Sequence, residues 1–351
     1  YPLRRQRQMC IRDRKNIIPL FVVEDELKRG NHLQLHTYQK FVSSFINPDT
    51  PYSRLLMKHS TGSGKTIGAI SIAMKFIKYF RLESLTHSNR GAIGSVYIVG
   101  FEGTKKAFQA DLLRFPEFGF VSRAELNKWD RLKQQALSNV QDDIDVAFDY
   151  GAKLRKRIGN RQGNGFFKFI GYKALVNRLF VSSDAITSMS EADIRSKIES
   201  GEVKLNKTVL DSFKNSIVIC DEIHNVYNSL QKNNWGITLQ ILFDYHPSIR
   251  GVLMSATPIN NNPSEIVDLL NLLLPVGRRL KRRDFFHKKK LKPGALDQLR
   301  KISVGYVSYL MDVNPKYFPS KSFTGKKITG IKYLKFERCI FKGLQLSLIH
   351  I

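Results

Sequence analysis

The sequence predicts an α/β fold with a parallel sheet and helices on both faces. Short apolar runs alternate with longer segments of helical periodicity, which is typical of strand–helix units. The glycine-containing stretch HSTGSGKT, residues 59–66, lies between one such run and one such segment. The chain has 351 residues, so it has room for a second domain beside a sizeable core.

Each predicted element follows from a local pattern. Buried strands are expected at residues 54–58, 95–99, 216–220 and 251–254, where apolar residues are nearly continuous. After the first strand, Ile67, Ile70, Met74 and Ile77 are spaced for one face of a helix. Further helices are expected at residues 102–114 and 263–274.

Between about residues 115 and 215 the alternation of strands and helices weakens. We interpret this region, with its basic stretch 151–165 and helical pattern 190–202, as an elaboration of the core. The resulting prediction is a nucleotide-binding domain over residues 15–275 and a basic extension over 276–345. The segments 1–14 and 346–351 look like translated sequencing adapters and are predicted to be artefacts.

Net charge and cysteine content indicate which kind of partner and which cellular location to expect. The net charge is +27, and it would still be +23 without the five arginines and one aspartate of residues 1–14. Such a surplus favours a polyanionic partner, above all nucleic acid. An anionic membrane surface is the alternative polyanion. No apolar run is long enough to span a membrane, so no spanning helix is predicted, and the prediction for partners is nucleic acid without a membrane. Three widely separated cysteines without a CxxC pair argue against disulfides and cysteine zinc sites, and favour an intracellular location.

The HSTGSGKT stretch has the composition of a phosphate-binding loop. Gly62 and Gly64 allow backbone N–H groups to turn toward an anion, and the following helix N-terminus favours phosphate. Lys65 would reach the β- and γ-phosphates, and the Thr66 hydroxyl would bind Mg²⁺. His59 stands where the common pattern has its first glycine. The predicted nucleotide-binding residues of the loop are Thr61, Gly62, Ser63, Gly64, Lys65 and Thr66.

Two later motifs follow predicted strands. The stretch IVICDEIHN, residues 217–225, brings Asp221 and Glu222 to the carboxyl end of a strand, where α/β sheets bind their ligands. There Asp221 is expected to hold Mg²⁺, and Glu222 to polarise an attacking water. A helix cap is the alternative for this acidic pair. The second motif is LMSATPINN at residues 253–261. Here another predicted strand is followed by the small hydroxyl residues Ser255 and Thr257, which alone would indicate only a turn and a helix cap.

TGSGKT, DEIH and SAT in this order resemble the signature of superfamily 2 DExH helicases and translocases. The resemblance covers roughly residues 30–320 and implies a RecA-like first motor domain that uses ATP and Mg²⁺. It assigns the phosphate, magnesium and hydrolysis roles to Lys65, Thr66, Asp221 and Glu222, and it counts His224 among the catalytic residues. His224 and the segment Ser255, Ala256 and Thr257 would couple hydrolysis to movement of the nucleic-acid strand. The upstream stretch HTYQK resembles the family's glutamine motif, which implies that Gln39 contacts the adenine.

A narrower resemblance is to motors of large cytoplasmic DNA viruses. DEIHNVYN, SATPINNNPSEIVDLLNLLLP and GYVSYLMDVNPKYFP are similar to the poxvirus early transcription factor small subunit and the viral nucleoside triphosphatase I. This implies a DNA-acting transcription motor, with RNA polymerase or a transcription-factor subunit as partner, located in the host cytoplasm or the virion. The same resemblance implies that Thr104 and Lys105 contact the nucleic-acid strand. The alternative is that the lysine pair at this position is simply exposed to solvent.

Several points stay open at the level of sequence. Phe285 and Phe286, in a run with nine Lys or Arg among residues 278–292, either stack on bases or tuck into the core. After Pro319 no glycine-arginine motif resembles a second motor domain, so slow hydrolysis by a truncated chain is expected. A non-catalytic nucleic-acid-binding module with a vestigial nucleotide site is the competing hypothesis, and a small-molecule kinase is disfavoured.

Overall fold

A parallel six-stranded sheet forms the centre of the molecule. In this computed structural model, the described residues are 33–86, 93–136, 141–160, 165–182, 186, 189–227, 233–259, 262–310, 327–328 and 336–337. The sheet strands are β1 (Arg54–His59), β2 (Val96–Gly100), β3 (Phe167–Gly171), β4 (Ile217–Cys220), β5 (Arg250–Ser255) and, later in the chain, β8 (Val307–Leu310). They lie in the order β3-β2-β4-β5-β1-β8, and every pairing is parallel.

Helices connect these strands. In chain order they are α1 (Thr37–Phe45), α2 (Lys65–Thr86), α3 (Glu102–Arg114), α4 (Arg123–Ala136), α5 (Gln141–Gly159), α6 (Tyr172–Leu179), α7 (Glu191–Glu199), α8 (Lys207–Asp211), α9 (Trp235–Tyr245), α10 (Glu265–Leu273), α11 (Arg282–Phe285) and α12 (Ala295–Ser303). The helix α3 has the predicted bounds, and the predicted strands are reproduced within two residues at each end. These elements are well predicted because their apolar patterns are local.

Two apolar cores lie on opposite faces of the sheet. Successive strand residues point to opposite faces; accordingly, Leu55 and Met57 belong to the core that includes α1 and α2, and Leu56 belongs to the core that includes α9 and α10. Both sets of strand residues are almost fully buried. The predicted α/β sheet with helices on both faces, a RecA-like arrangement, is confirmed.

The structure places two segments differently from the sequence-based division. β3 lies inside the region 115–215 and pairs with β2, so part of that region belongs to the central sheet. β8 lies beyond residue 275 and pairs with β1, and one compact unit continues to Met311. The domain boundary drawn at residue 275 therefore falls inside this unit. The sequence pattern did not predict β8 because it is a short, half-buried edge strand without a continuous apolar run, and the division at residue 275 stays a prediction.

The basic run 278–292 turns its two phenylalanines inward. Phe285 ends α11 and Phe286 begins β6 (Phe286–His287), which forms a two-residue hairpin with β7 (Lys290–Leu291). Phe285 is 5% exposed and Phe286 is 7% exposed, and both pack in the core on the α9 and α10 face. The core alternative is confirmed, and base stacking by these side chains is wrong.

A second compact unit begins at Asp312. Its described part is an antiparallel pair, β9 (Lys327–Ile328) and β10 (Phe336–Glu337). Within the described ranges, no helix is long and apolar enough to cross a membrane.

Candidate nucleotide site

The phosphate loop lies between β1 and α2, as the sequence predicts. Gly62 and Gly64 have φ angles of 75° and 77°, in the left-handed region that side chains other than glycine disfavour. A Cβ atom on Gly64 would also come within 2.7 Å of the Gln39 side-chain nitrogen. Both glycines are therefore required by the backbone of the loop. Of its hydroxyl residues, Thr61 is exposed, Ser63 is buried and Thr66 is half-buried in the first turn of α2.

Lys65 begins α2, directly after Gly64 of the loop. Its Nζ donates to the carbonyl oxygens of His59 at 3.0 Å and Ser60 at 3.2 Å. Burial lowers the pKa of Lys65, while the charges of Glu222 and Asp221 act in the opposite direction. The structure thus brings the lysine of TGSGKT into electrostatic contact with the two carboxylates of DEIH, which are distant in sequence.

Asp221 follows β4 directly and is fixed from both neighbouring segments. Its backbone N–H donates to Val99 of β2 at 2.8 Å, and its carbonyl accepts the Tyr172 hydroxyl at 2.7 Å. Its carboxylate Oδ2 accepts the hydroxyl of Thr104 at 2.9 Å. The carboxylate is consequently held in one place at the carboxyl edge of the sheet.

Glu222 has a backbone conformation that is unusual for a residue with a side chain. Its φ and ψ are 49° and 46°, which is left-handed. Conformations of this kind cost of order 1–3 kcal/mol and cluster at functional sites. The Glu222 side chain is 44% exposed, so its carboxylate is accessible to water. Its Oε2 lies 3.2 Å from Nδ1 of His224.

His224 connects the acidic pair to the SAT segment. Its Nδ1 is 2.9 Å from the Ser255 hydroxyl, which in turn accepts the backbone N–H of Thr257 at 3.1 Å. Ser255 ends β5, the strand beside β4, so adjacent strand ends bring the two motifs together. Ala256 lies within the same turn. The coupling role of Ser255, Ala256 and Thr257 stays a prediction.

Gln39 lies against the phosphate loop. Its Oε1 accepts the backbone N–H of His36, and its Nε2 donates to the carbonyl of Gly64 at 3.1 Å. The residue is 3% exposed. Both ends of this amide are thus bonded within the protein, at the start of α1 and at the loop. Contact of Gln39 with adenine stays a prediction.

Thr104 is directed at Asp221. It is 7% exposed, and its hydroxyl is bonded to the Asp221 carboxylate, because the first turn of α3 approaches the end of β4 closely. Its contact with nucleic acid stays a prediction. Lys105, the next residue, has an exposed side chain, and its contact with nucleic acid stays a prediction.

Sequence reasoning missed three further residues at the site. The Tyr38 hydroxyl donates to the carbonyl of Ser63, Tyr172 holds the carbonyl of Asp221, and Ser308 of β8 bonds the ring of His59. Tyr172 directly follows the end of β3, and position at a strand's carboxyl end was an available signal. Tyr38 lies within HTYQK, where only Gln39 was assigned a role, and Ser308 gave no local signal.

The donors and ligands suit a nucleotide with Mg²⁺. Among the described residues, the Ser63 hydroxyl and His59 Nδ1 are buried polar atoms without a hydrogen-bond partner. Ser63 therefore offers an unused hydroxyl inside the loop that would hold phosphate. The Thr66 hydroxyl and the Asp221 carboxylate are hard oxygen ligands, and Mg²⁺ commonly takes one or two protein ligands together with substrate phosphates and water.

His59 provides a prediction on pH. Burial, followed by the charges of Lys65 and Lys58, lowers the pKa of His59 to about 4. The unfolded imidazole titrates near 6.5, so between about pH 6.5 and 4 the unfolded chain binds a proton that the folded chain does not. The free energy of unfolding should fall by up to about 1.4 kcal/mol per pH unit as the pH drops through this window.

The measurement is urea unfolding at several pH values for the protein and for His59→Gln, which does not titrate. The variant should lose less stability on acidification. Identical pH slopes for the two proteins would show that His59 is not the titrating group.

Comparison with known proteins gives the family. The SNF2-related domain family matches residues 126–305, about half of the chain. The "Early transcription factor large subunit homolog" of African swine fever virus (isolate Tick/Malawi/Lil 20-1/1983) is 35% identical over 361 residues, covering 90% of this chain and 32% of the relative. The "Putative ATP-dependent RNA helicase L377" of Acanthamoeba polyphaga mimivirus is 27% identical, covering 91% and 26%.

The chain thus spans about a third or less of the length of these relatives. The viral relative is named for a large subunit, whereas the sequence resemblance was to a small subunit. Among solved structures, the Sulfolobus solfataricus SWI2/SNF2 ATPase core in complex with dsDNA matches at a TM-score of 0.40 and 14% identity, over 84% of this chain and 48% of that one. A likeness of this size carries no weight for function. The chain belongs to the SNF2-related domain family and carries a first RecA-like domain of the superfamily 2 helicase type.

Proposed function

We propose that this chain is the nucleotide-binding part of a nucleic-acid-dependent ATP hydrolase that acts on DNA as a viral transcription motor. The observation that carries the proposal is the convergence of three motifs at one sheet edge. The charges of Asp221 and Glu222 act on Lys65, and His224 connects that pair to Ser255. Phosphate binding, water activation and a link to a neighbouring segment are therefore available in one site.

Phosphate binding, water activation and metal binding are assigned to different residues of the chain. Lys65 would exchange its bonds to the His59 and Ser60 carbonyls for bonds to the β- and γ-phosphates. Glu222 would orient the attacking water and accept its proton at a carboxylate oxygen. Thr66 and Asp221 would hold Mg²⁺, which when bound neutralises charge on the phosphates. Hydrolysis by this chain alone should be slow, because an arginine from another domain or partner typically contributes roughly 10³–10⁵ in rate.

The proposal of DNA as partner rests on charge and on relatives. The net charge of +27 suits a path along phosphates, which lysine and arginine bind without reading sequence. One viral relative is named as a transcription factor subunit and another as an RNA helicase. We favour DNA as the substrate, and RNA polymerase or another transcription-factor subunit as the protein partner. An intracellular location, in the host cytoplasm or virion, is part of the same proposal.

Lys65→Ala tests the nucleotide site. Nucleotide affinity is measured by titrating a fluorescent ATP analogue in the presence of Mg²⁺. A bond to a charged group contributes about 1.5–3 kcal/mol, so the variant should bind roughly 10- to 100-fold more weakly. Lys75→Ala is the matched control, because Lys75 is an exposed lysine on the same helix, α2. Its affinity should stay within about twofold of the unaltered protein, since it loses no phosphate contact.

Single-turnover hydrolysis with the protein in excess then tests the motor. Duplex DNA, single-stranded DNA and RNA are compared as stimulators. Stimulation by DNA supports the proposal, and stimulation by RNA alone would replace DNA with RNA. Nucleotide binding without stimulated hydrolysis by any of the three would favour the passive binding module. Unchanged affinity of Lys65→Ala would refute the nucleotide site itself.

A further inference from the structure

Thr104 makes a contact that the assigned motifs do not explain. It lies in the first turn of α3, and its Oγ1 donates to Oδ2 of Asp221 at 2.9 Å, across 117 residues of sequence. The side chain is 7% exposed. A buried hydroxyl is thus directed at one oxygen of the carboxylate that would hold the metal.

The fold is built to allow this close approach. β2 and β4 are parallel neighbours in which Val99 pairs with Cys220, so α3 starts beside Asp221. The backbone N–H of Thr104 bonds the carbonyl of Phe101 at 3.0 Å, which fixes the turn. A Cβ atom on Gly100 would lie 2.6 Å from Thr104 Oγ1 and 2.8 Å from Thr104 Cβ. Glycine at position 100 therefore leaves the space that Thr104 occupies.

A second buried hydroxyl holds Asp221 from the other direction. Tyr172, 2% exposed, begins α6 after β3 and donates to the Asp221 carbonyl at 2.7 Å. With the backbone fixed by Tyr172 and Val99, the remaining freedom of Asp221 is rotation about the two bonds of its side chain. The bond from Thr104 restricts that rotation. A carboxylate has two acceptor oxygens, so Oδ1 stays available to a metal or its water.

We propose that Thr104 is a positioning residue that orients the Asp221 carboxylate for nucleotide-bound Mg²⁺. This inference rests on the proposed function, in which Asp221 holds the metal. Partners that orient metal-binding groups typically change metal affinity by 10- to 100-fold when they are removed. Within the part of the chain that the structure describes, Thr104 supplies the hydroxyl that bonds the Asp221 carboxylate.

The experiment measures binding of a fluorescent ADP analogue by the full chain as a function of Mg²⁺ concentration. Thr104→Val keeps the shape of the side chain and removes the donor, while Thr104→Ser keeps the donor. We expect Thr104→Val to raise the Mg²⁺ concentration at half-maximal binding by roughly 10- to 100-fold. Thr104→Ser should restore it to within about threefold, because the hydroxyl remains.

Two control variants separate the possible failures. Thr238→Val removes another buried threonine hydroxyl, which lies on α9 and donates to the carbonyl of Asn234 just before that helix, and should leave the Mg²⁺ midpoint unchanged. Asp221→Asn tests the metal carboxylate directly.

If Asp221→Asn shifts the midpoint and Thr104→Val does not, the positioning role is wrong and the proposed function stands. If neither shifts it, Asp221 holds no metal and both proposals fail. An equal shift in Thr104→Val and Thr104→Ser would also overturn the role, because loss of packing would then be the cause.

Discussion

Glu222→Gln is expected to lower nucleic-acid-stimulated hydrolysis by about 10²- to 10⁴-fold, the usual contribution of a general base. The amide has the same size as the carboxylate but cannot accept a proton from water. Nucleotide affinity should stay within about threefold, since Glu222 is not assigned to the phosphates or the metal. The measurement is single-turnover hydrolysis of ATP with DNA present, beside an affinity titration.

Glu199→Gln is the matched control for this change, because Glu199 is an exposed carboxylate on α7. It should hydrolyse ATP at the unaltered rate. A Glu222→Gln variant that keeps full turnover would exclude Glu222 as the base. Equal loss of affinity and rate would indicate instead that the carboxylate contributes to binding.

The backbone at Glu222 adds a second readout. Glycine adopts φ near 49° without the strain that a side chain imposes, so Glu222→Gly should raise the free energy of unfolding by about 1 kcal/mol while abolishing the base. Glu222→Gln keeps the strain and should leave stability within about 0.5 kcal/mol. If Glu222→Gly is more stable but does not hydrolyse ATP, the strained backbone at Glu222 lowers stability and is tolerated because the side chain is needed for activity.

The parts of the molecule that sequence reasoning predicted are those with a local signal. The strands around Leu56 and Ile219 are continuous apolar runs, and helix 102–114 is observed with its predicted bounds. The loop carrying Lys65 and the pair Asp221-Glu222 follow strand ends, so a parallel sheet brings them to one edge. The contact between His224 and Ser255 follows from the same rule.

The parts that were missed depend on contacts between distant segments. β8 is short and half-buried, and its place beside β1 comes from pairing that its own pattern does not specify. The two lysines that follow Thr104 indicate a surface residue. In the structure, however, Thr104 occupies the space beside Gly100, and its hydroxyl bonds Asp221. Neither the spacing of residues nor the composition of the sequence predicts that the Thr104 hydroxyl lies within 2.9 Å of Asp221 Oδ2.

The largest expected effect on stability comes from Arg54 at the start of β1. Its guanidinium donates to the carbonyls of Leu272 and Leu274 at 3.1 Å each and to that of Phe243 at 2.6 Å. It also lies 3.6 Å from Asp244, and its side chain is 10% exposed. One arginine thus satisfies three carbonyls near the ends of α9 and α10. Asp244 is bonded in addition to Arg279.

Arg54→Met should therefore lower the free energy of unfolding by about 3–5 kcal/mol, because three carbonyls lose a donor at about 1–3 kcal/mol each. Urea unfolding followed by tryptophan fluorescence measures this, because both tryptophans, Trp129 and Trp235, lie in the same compact unit as Arg54. Lys106→Ala is the control, since Lys106 pairs with Glu102 in the open, and its removal should cost less than about 1 kcal/mol.

The double variant Arg54→Met with Asp244→Asn separates charge from carbonyl bonding, and the asparagine keeps an acceptor oxygen for Arg279. If the cost arises mainly from the charge of Asp244, which loses one of its two cationic partners, removing both charges should recover much of the stability, as it does for other buried pairs. If it arises from the three carbonyls, the double variant should be no more stable than Arg54→Met, because the carbonyls stay without donors. We expect the second result, since three of the guanidinium's four close contacts are with backbone oxygens and the ion pair is the longest of them. Full recovery in the double variant would contradict this view and make Arg54 chiefly a partner of Asp244.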